Sequence, residues 1–236
     1  MVHKEEKHCL IQAIASPSGR HVSPINKQVS ELNSPLVIGL TGGIASGKSA
    51  VASLFGELGA NLLDADKLGH VVLEEECTKE AIVKHWGDKV VRDNRISRKD
   101  LAAIVFDPET GADQLEKLEA ITHPRIRQLM IERLAEFRKE GTVAVILDAP
   151  LLFEADWDEL CDKVLFVECD EEIRTRRALA RGWSREEFKA REDSQLALNV
   201  KKQRSTQVIN NSGGLEQTKM QIQELWQSWG LATNLH

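Results

Sequence analysis

Cysteines are few in this sequence, and no pattern pairs them. Cys9, Cys77, Cys161 and Cys169 form no C-x-x-C pair and have no histidine partners at the spacing of a zinc site. This distribution argues against a disulfide framework and a zinc-binding scaffold, and it indicates free thiols in a reducing compartment. We therefore expect a cytoplasmic protein.

Long apolar runs are also missing. No segment resembles a transmembrane span, and residues 1–33 lack the apolar core of a signal peptide. Those residues are polar and contain Ser16-Pro17-Ser18-Gly19 and Ser23-Pro24, so we interpret them as a flexible extension or a start-site artefact. We expect no association with a membrane.

An excess of positive charge is the third absence. The chain has 31 Lys and Arg against 37 Asp and Glu, a formal net charge of −6. This balance argues against a protein that coats nucleic acid, and a polyanionic ligand must meet a local basic cluster instead. The length of 236 residues suits one domain with an attached subdomain, and nothing in it implies an obligatory protein partner.

The most specific signal is a glycine-rich segment that begins at Gly42. Residues 42–49 match G-x-x-x-x-G-K-[ST] and follow the apolar run Leu36–Leu40, which is typical of a buried strand. Backbone amides of such a loop surround a phosphate, and the dipole of the following helix adds positive charge there. Lys48 would neutralise phosphate oxygens and Ser49 would bind Mg²⁺. The alternative is a glycine-rich turn that binds nothing, but strand, loop and helix in order predict a nucleoside triphosphate site.

The rest of residues 34–236 alternates between short apolar runs and helical patterns. This alternation predicts an α/β fold of the P-loop NTPase type, a three-layer sandwich with a central parallel sheet. About residues 67–140 are helical throughout in our interpretation and form an insertion beside the sheet. Within the insertion, Ser97 predicts a helix cap and Pro124 predicts a kink or a new helix start. The predicted strands are Leu36–Leu40, Asn61–Asp64, Val143–Asp148, Lys163–Glu168 and Gln207–Ile209.

Three acidic residues close two of these predicted strands. Ligands of parallel sheets lie at the carboxyl ends of the strands, so we expect Asp64 and Asp66 to face the phosphate site. Asp66 suits a general base and Asp64 suits a metal-bound water or a structural bond. The alternative is that both acids cap the following helix. Asp148 ends a strand of Walker-B form, although a plain core strand has the same pattern.

Basic residues follow the fourth predicted strand. Arg174, Arg177 and Arg181 have the spacing of one helix face, which suits a triphosphate whose charge spreads during transfer. A solvated face paired with Glu171 and Glu172 remains the alternative. His123 precedes a proline, and it is either a packing or helix-start residue or a contributor to acceptor binding or proton transfer.

In this order the motifs resemble the dephospho-CoA kinase family, from about Leu36 to Leu225. The resemblance implies an enzyme that uses ATP and Mg²⁺ to phosphorylate the ribose 3′-hydroxyl of dephospho-CoA, the final step of coenzyme A synthesis. The motifs that carry it are Ile38–Ile44, Asp64-Ala65-Asp66, His123-Pro124, Asp148–Glu154 and Val208–Gly213.

The same resemblance implies roles for particular residues. Lys48 and Asp66 would be catalytic, and Asp66 would activate the 3′-hydroxyl. The insertion would bind the acceptor with Asp66, His123 and Arg125, about residues 170–192 would form a lid over ATP, and Ser49 and Asp148 would hold Mg²⁺ directly or through water. The implied ATP contacts are Gly42, Gly43, Ile44, Ala45, Ser46, Gly47, Lys48, Ser49, Ala50, Arg177, Arg181 and Asn211.

Three positions depart from the family pattern. Ala45 replaces a glycine of the loop, which alanine tolerates provided that the position does not need a positive φ. Ala50 replaces a threonine, and Ser205-Thr206 replaces a common Ala-Asp pair.

Two rival functions remain open at this stage. A nucleoside or nucleotide kinase would have the same sheet and phosphate loop. A regulatory NTP-binding switch would change conformation instead of phosphorylating a metabolite.

Overall fold

A computed structural model describes residues 34–107 and 110–232. The predicted extension, residues 1–33, lies outside the described residues. Five parallel strands form the central sheet: β1 (Leu36–Gly42), β2 (Asn61–Asp64), β5 (Ala144–Asp148), β6 (Lys163–Glu168) and β7 (Gln207–Asn210). Their order in the sheet is β2-β5-β1-β6-β7.

Helices follow the strands on both faces of the sheet. The five predicted strands are confirmed to within two residues at each end, because buried parallel strands leave a run of apolar residues that is hard to mistake. The helices are α1 (Lys48–Glu57), α2 (Ala65–Glu74), α3 (Glu76–Trp86), α4 (Arg98–Val105), α5 (Gly111–Lys139), α6 (Glu171–Ala180), α7 (Arg185–Asp193), α8 (Leu198–Arg204) and α9 (Leu215–Ser228).

Alternate residues of β1 separate two cores. Ile38 and Leu40 pack with Phe55 of α1 and Trp226 of α9 in one cluster. Val37 packs in the other cluster, whose members come from β5, β6, α5 and the segment after β5. The sheet is therefore covered on both faces, which leaves the carboxyl ends of its strands as the place for a ligand.

A second compact unit contains Leu73–Ile121. Its own core includes Ile82, Trp86, Val90 and Leu101. The predicted cap of α4 is confirmed, because Ser97 Oγ accepts a hydrogen bond from the amide of Asp100 at 3.3 Å.

The prediction of a helical insertion throughout is wrong at one place. Strands β3 (Val91–Arg92) and β4 (Arg95–Ile96) form an antiparallel pair. Asp93 and Asn94 between them have φ values of 48° and 62°. Aspartate and asparagine tolerate this left-handed conformation, so a two-residue turn interrupts the helical pattern.

The proline of α5 does not start a new helix. Pro124 lies inside one helix of 29 residues, Gly111–Lys139.

Among the described residues, no helix combines the length and the apolar character that crossing a membrane requires.

Candidate active site

The phosphate loop joins β1 to α1 and is shaped by glycines. Gly47 has a φ of 96°, and a Cβ atom on it would lie 2.2 Å from Nδ2 of Asn211. Only glycine fits this position, because both the backbone conformation and the space exclude a side chain. Helix α1 begins directly afterwards at Lys48, so its first amides have no acceptor within the helix and are available to an anion.

Ala45 has a positive φ, the conformation that we expected an alanine at this position to avoid. Its φ is 59°, in the left-handed region, which costs an L-residue roughly 1 kcal/mol. The residue is also buried, and its methyl group packs with Ala178 and Phe188. Burial of this methyl group offsets part of the backbone strain, so alanine is accommodated here although the position does need a positive φ.

Lys48 lies against the backbone of the loop. Its Nζ donates hydrogen bonds to the carbonyl oxygens of Gly42 at 3.0 Å and Gly43 at 3.1 Å. Burial of the ammonium group lowers the pKa of Lys48 to about 8, against the opposing effect of Asp148. A phosphate group would replace these weak carbonyl acceptors with full negative charge.

The three predicted acids, Asp64, Asp66 and Asp148, lie at the carboxyl ends of neighbouring strands, and we call this part of the sheet the acidic edge. Asp64 and Asp148 are register partners at the ends of the neighbouring strands β2 and β5. Asp66 follows in the first turn of α2. Partial burial, then the charges of Asp64 and Asp66, raise the pKa of Asp148, whereas Lys48 lowers it. Asp66 itself has a raised pKa, caused by desolvation first and by Asp64 second.

The cap of α2 belongs to Asp64. Its Oδ1 accepts a hydrogen bond from the amide of Lys67 at 3.0 Å, and Oδ2 pairs with Lys67 Nζ at 3.3 Å. The alternative that both acids cap this helix therefore holds for Asp64 alone. Asp66 is exposed at the surface although its surroundings partly desolvate the carboxylate, and this exposure leaves the carboxylate accessible.

The donor set at this edge fits Mg²⁺. Ser49 exposes a hydroxyl at the start of α1, and the carboxylate of Asp148 lies within electrostatic reach of Lys48 and Asp66. Oxygen ligands suit this ion, which takes one or two carboxylates and completes its shell with water and phosphate oxygens. No cluster of three or more His, Cys, Asp or Glu side chains forms a metal site in the part of the chain that the structure describes. Substrate phosphates would therefore have to supply the remaining ligands.

The three arginines of α6 have different environments. Arg177 Nη1 donates to the carbonyl oxygens of Ser46 at 3.0 Å and Ala45 at 3.4 Å, so it touches the loop itself. Arg181 is exposed at the C-terminal end of the helix. Arg174 is buried and pairs with Glu192 of α7. Glu171 and Glu172 are in none of the ion pairs found for these arginines, which is contrary to the alternative of a solvated, paired face.

Asn211 supports the loop from β7. It is buried, and its Nδ2 donates to the carbonyl oxygen of Ser46 at 2.7 Å. The sequence placed Asn211 among the ATP contacts, and the structure shows it bonded to the loop backbone. Thr218 holds this asparagine in turn, because its hydroxyl donates to Asn211 Oδ1 at 2.9 Å. We did not predict this residue from the sequence. Thr218 lies outside every recognised motif, so no sequence signal pointed to it.

His123 and Arg125 lie on α5 rather than at the phosphate loop. The His123 ring meets Trp157 edge-on with centroids 5.1 Å apart, and burial lowers its pKa. This environment favours the packing interpretation of His123. Arg125 pairs with Glu132 along the helix at 3.5 Å.

Helix α8 carries a buried lysine, Lys201, that we did not predict from the sequence. Lys201 Nζ pairs with Glu154 at 2.9 Å and donates to Gln195 at 3.0 Å and to the carbonyl oxygen of Pro150 at 3.1 Å. Pro150 is two residues beyond Asp148, so this lysine secures the segment that directly follows the acid. Burial of a lysine is not legible from sequence, because most lysines are exposed.

The region that contains these motifs also matches known proteins. Residues 36–217 match the family model described as dephospho-CoA kinase. The chain is 41% identical over 197 residues to a dephospho-CoA kinase of Geobacillus kaustophilus, covering 82% of this chain and 96% of that protein. It is also 41% identical over 196 residues to a dephospho-CoA kinase of Symbiobacterium thermophilum, with 81% and 80% covered.

Solved structures give the same similarity in three dimensions. TT1252 from Thermus thermophilus superposes with a TM-score of 0.71 at 36% identity, covering 83% of this chain and 98% of that one. Dephospho-CoA kinase from Campylobacter jejuni superposes with a TM-score of 0.62 at 28% identity, covering 82% and 96%.

Proposed function

The chain belongs to the dephospho-CoA kinase family, the enzymes of the final step of coenzyme A synthesis, and we propose that Asp66 and Lys48 carry its chemistry. In this proposal ATP binds at the phosphate loop and the ribose 3′-hydroxyl of dephospho-CoA lies at Asp66. The observation that carries the proposal is the mutual electrostatic influence of Asp66 and Lys48, with Asp148 beside both. An acid and the phosphate-binding lysine thus share one edge of the sheet.

ATP would be held mainly by the backbone of residues 42–50. The first amides of α1 have no acceptor within the helix, and the dipole of that helix favours anions. Lys48 would exchange its contacts with Gly42 and Gly43 for phosphate oxygens. Arg177, which now donates to Ser46 and Ala45, and the exposed Arg181 would stabilise charge on the transferred group.

Asp66 would receive the proton of the acceptor. The 3′-oxygen attacks the γ-phosphorus, the bond from that phosphorus to the bridging oxygen breaks, ADP leaves, and the hydroxyl proton passes to the Asp66 carboxylate. The raised pKa of Asp66 brings it closer to the pH at which a base accepts a proton efficiently. Positioning and charge stabilisation supply most of the catalysis in such transfers.

Mg²⁺ would be held by Ser49 and Asp148. The ion would neutralise charge on the β- and γ-phosphates when bound. The acidic edge supports this proposal, because burial and then the charges of Asp64 and Asp66 raise the pKa of Asp148, and a bound cation would favour its ionised form.

Acceptor contacts from α5 complete the proposal. We assign His123 and Arg125 to the acceptor side, supported by the His123-Pro124 motif and by the partial exposure of both residues. The packing of His123 on Trp157 is compatible with this assignment, because the contact would hold the half-exposed ring in one orientation.

We also place the reaction in the cytoplasm, since the described cysteines Cys77, Cys161 and Cys169 are free thiols.

One assay tests the function directly. Purified protein is incubated with ATP, Mg²⁺ and either dephospho-CoA or a panel of nucleosides and nucleoside monophosphates, and products are identified by mass. We expect one phosphoryl group on dephospho-CoA alone. Phosphorylation of a nucleoside or nucleotide instead would establish the rival kinase, and slow ATP hydrolysis that no acceptor accelerates would establish a switch.

A matched pair of variants ties the reaction to the loop. Lys48→Ala should lower turnover by a factor of roughly 10² or more while the protein stays folded. Lys219→Ala removes an exposed lysine that pairs with Glu57 at 3.2 Å and should leave turnover unchanged. Equal activity of both variants would contradict the assigned site.

A further inference from the structure

Helices α6 and α7 contact the phosphate loop through a small junction that no motif predicts. We call it the lid–loop junction, and its polar part centres on Arg174. That residue is only 3% exposed. Its Nε donates to the carbonyl oxygen of Cys169 at 3.1 Å, its Nη1 lies 3.5 Å from the carbonyl oxygen of Ile44, and it forms an ion pair with Glu192.

The guanidinium group of Arg174 also lies directly against the loop backbone. A Cβ atom on Gly43 would lie 2.7 Å from Nη1 and 3.1 Å from Cζ of Arg174. A side chain at this position would therefore have to displace the guanidinium group. A single side chain thus touches the loop, the end of β6 and α7.

The apolar part of the junction joins the same elements. The buried residues Ala45, Ala178 and Phe188 form a cluster, with Ile44 and Trp183 packed against it. Phe188 is the buried residue of the nine-residue helix α7. The attachment of α7 therefore depends on Phe188 and on the partly buried Glu192, whose side chain is 17% exposed.

Removing one partner of this ion pair would leave the other unpaired. Arg174 is buried, so a loss of Glu192 leaves a guanidinium group without its counter-charge, and such a loss is strongly unfavourable. The least costly response is movement of α7, because the rest of Arg174 is fixed by Cys169 and the loop. Loss of the ion pair is therefore expected to loosen α7 from the loop.

We propose that Arg174 is a positioning residue that holds α7 on the phosphate loop through Glu192, and that this contact tightens ATP binding. The inference rests on the proposed ATP site at residues 42–50. It assigns Arg174 no contact with substrate. Its effect is to keep Ile44 and Ala45 in place and to keep the lid closed over the loop before ATP arrives.

The test combines hydrogen exchange with ATP affinity in the full-length protein. In Glu192→Ala we expect the amides of α7 to exchange faster and the KM for ATP to rise roughly 10-fold, the equivalent of one charge-assisted hydrogen bond. The kcat should change less than about threefold, because the contact is the same in ground and transition states. Glu192→Gln, which can still accept a hydrogen bond, should recover part of the affinity.

A control on the same helix separates this contact from general helix stability. Lys189 and Asp193 form an exposed ion pair on α7 at 2.9 Å. Asp193→Asn should leave both the exchange of α7 and the KM for ATP unchanged. The double variant Arg174→Met/Glu192→Met should be no worse than Arg174→Met alone, because both changes remove one shared contact.

Two results would overturn the proposal. Unchanged exchange of α7 in Glu192→Ala and Glu192→Gln would show that the ion pair does not hold the helix. Faster exchange with unchanged ATP affinity would show that the position of α7 does not affect the nucleotide. Failure of the proposed function would look different, because the wild-type protein would then not phosphorylate dephospho-CoA whatever the state of α7.

Discussion

The amide nitrogen of the Asn211 side chain lies 2.7 Å from the carbonyl oxygen of Ser46, although the two residues are 165 positions apart. This hydrogen bond ties the end of β7 to the centre of the phosphate loop. Thr218 fixes the orientation of the amide by donating to its oxygen at 2.9 Å. The loop therefore has a support from a distant part of the sequence.

Loss of this support should weaken ATP binding and the fold together. Asn211→Ala removes the shorter of two hydrogen bonds to the Ser46 carbonyl oxygen and leaves the buried Thr218 hydroxyl without its acceptor. We expect a loss of roughly 1–3 kcal/mol in the free energy of unfolding and a higher KM for ATP. Asn211→Asp should be at least as damaging, because a carboxylate cannot donate to the carbonyl oxygen. Thermal unfolding and steady-state kinetics measure both effects, and a wild-type KM in both variants would rule out this role.

Asp66→Asn should separate binding from chemistry. Asparagine keeps the size of the side chain but accepts no proton, so we expect intact ATP affinity and a transfer rate lower by roughly 10²–10⁴-fold. Single-turnover measurements at saturating ATP give the rate. Asp64 provides the helix cap, so Asp64→Asn is the matched control and should retain most of the activity. An unchanged rate in Asp66→Asn would end its assignment as the base.

The pH dependence of transfer should respond to the charge of Asp64. Asp66 must be ionised to accept a proton, so activity falls as the pH drops through its raised pKa. Because the negative charge of Asp64 contributes to that rise, Asp64→Asn should lower the pKa of Asp66. The acidic limb of the profile of kcat/KM would then move to lower pH. A shift toward higher pH, or none, would mean that Asp64 does not act on the base.

Binding of ATP should take up a proton near pH 8. The pKa of Lys48 is about 8 in the free protein, so the lysine is partly neutral at that pH. Phosphate oxygens favour its charged form and should raise this pKa. Titration calorimetry in buffers of different ionisation enthalpy measures the uptake. Lys48→Arg cannot lose its charge in this range and should show less uptake, whereas equal uptake would assign the proton to another group.

The lowered pKa of Lys48 should also make the stability of the fold depend on pH. The pKa of Lys48 is lowered from 10.5 to about 8 by burial, so between these values the unfolded chain binds more protons than the folded one. The contribution of Lys48 to the free energy of unfolding therefore rises with pH across this window. Lys48→Met should remove that component of the pH dependence.

Much of the fold was determined by the sequence alone. The five apolar runs became the five parallel strands, because a strand buried on both faces tolerates few polar residues. The phosphate loop was equally legible, since its glycines and lysine follow a spacing that backbone geometry dictates. The sequence did not show that Asp64 and Asp148 end neighbouring strands, because an apolar run does not reveal its partner in the sheet.

Only the tertiary structure decided which polar residues act on the loop. The spacing of Arg174, Arg177 and Arg181 places them on one helix face. In the folded chain, however, Arg174 forms an ion pair with Glu192, whereas Arg177 donates hydrogen bonds to carbonyl oxygens of the loop. The φ of Ala45 was likewise invisible, because a residue name does not fix a backbone angle that packing against Phe188 helps to stabilise. Local pattern encodes strands and motifs, whereas long-range contacts such as Asn211 with Ser46 depend on how the chain closes on itself.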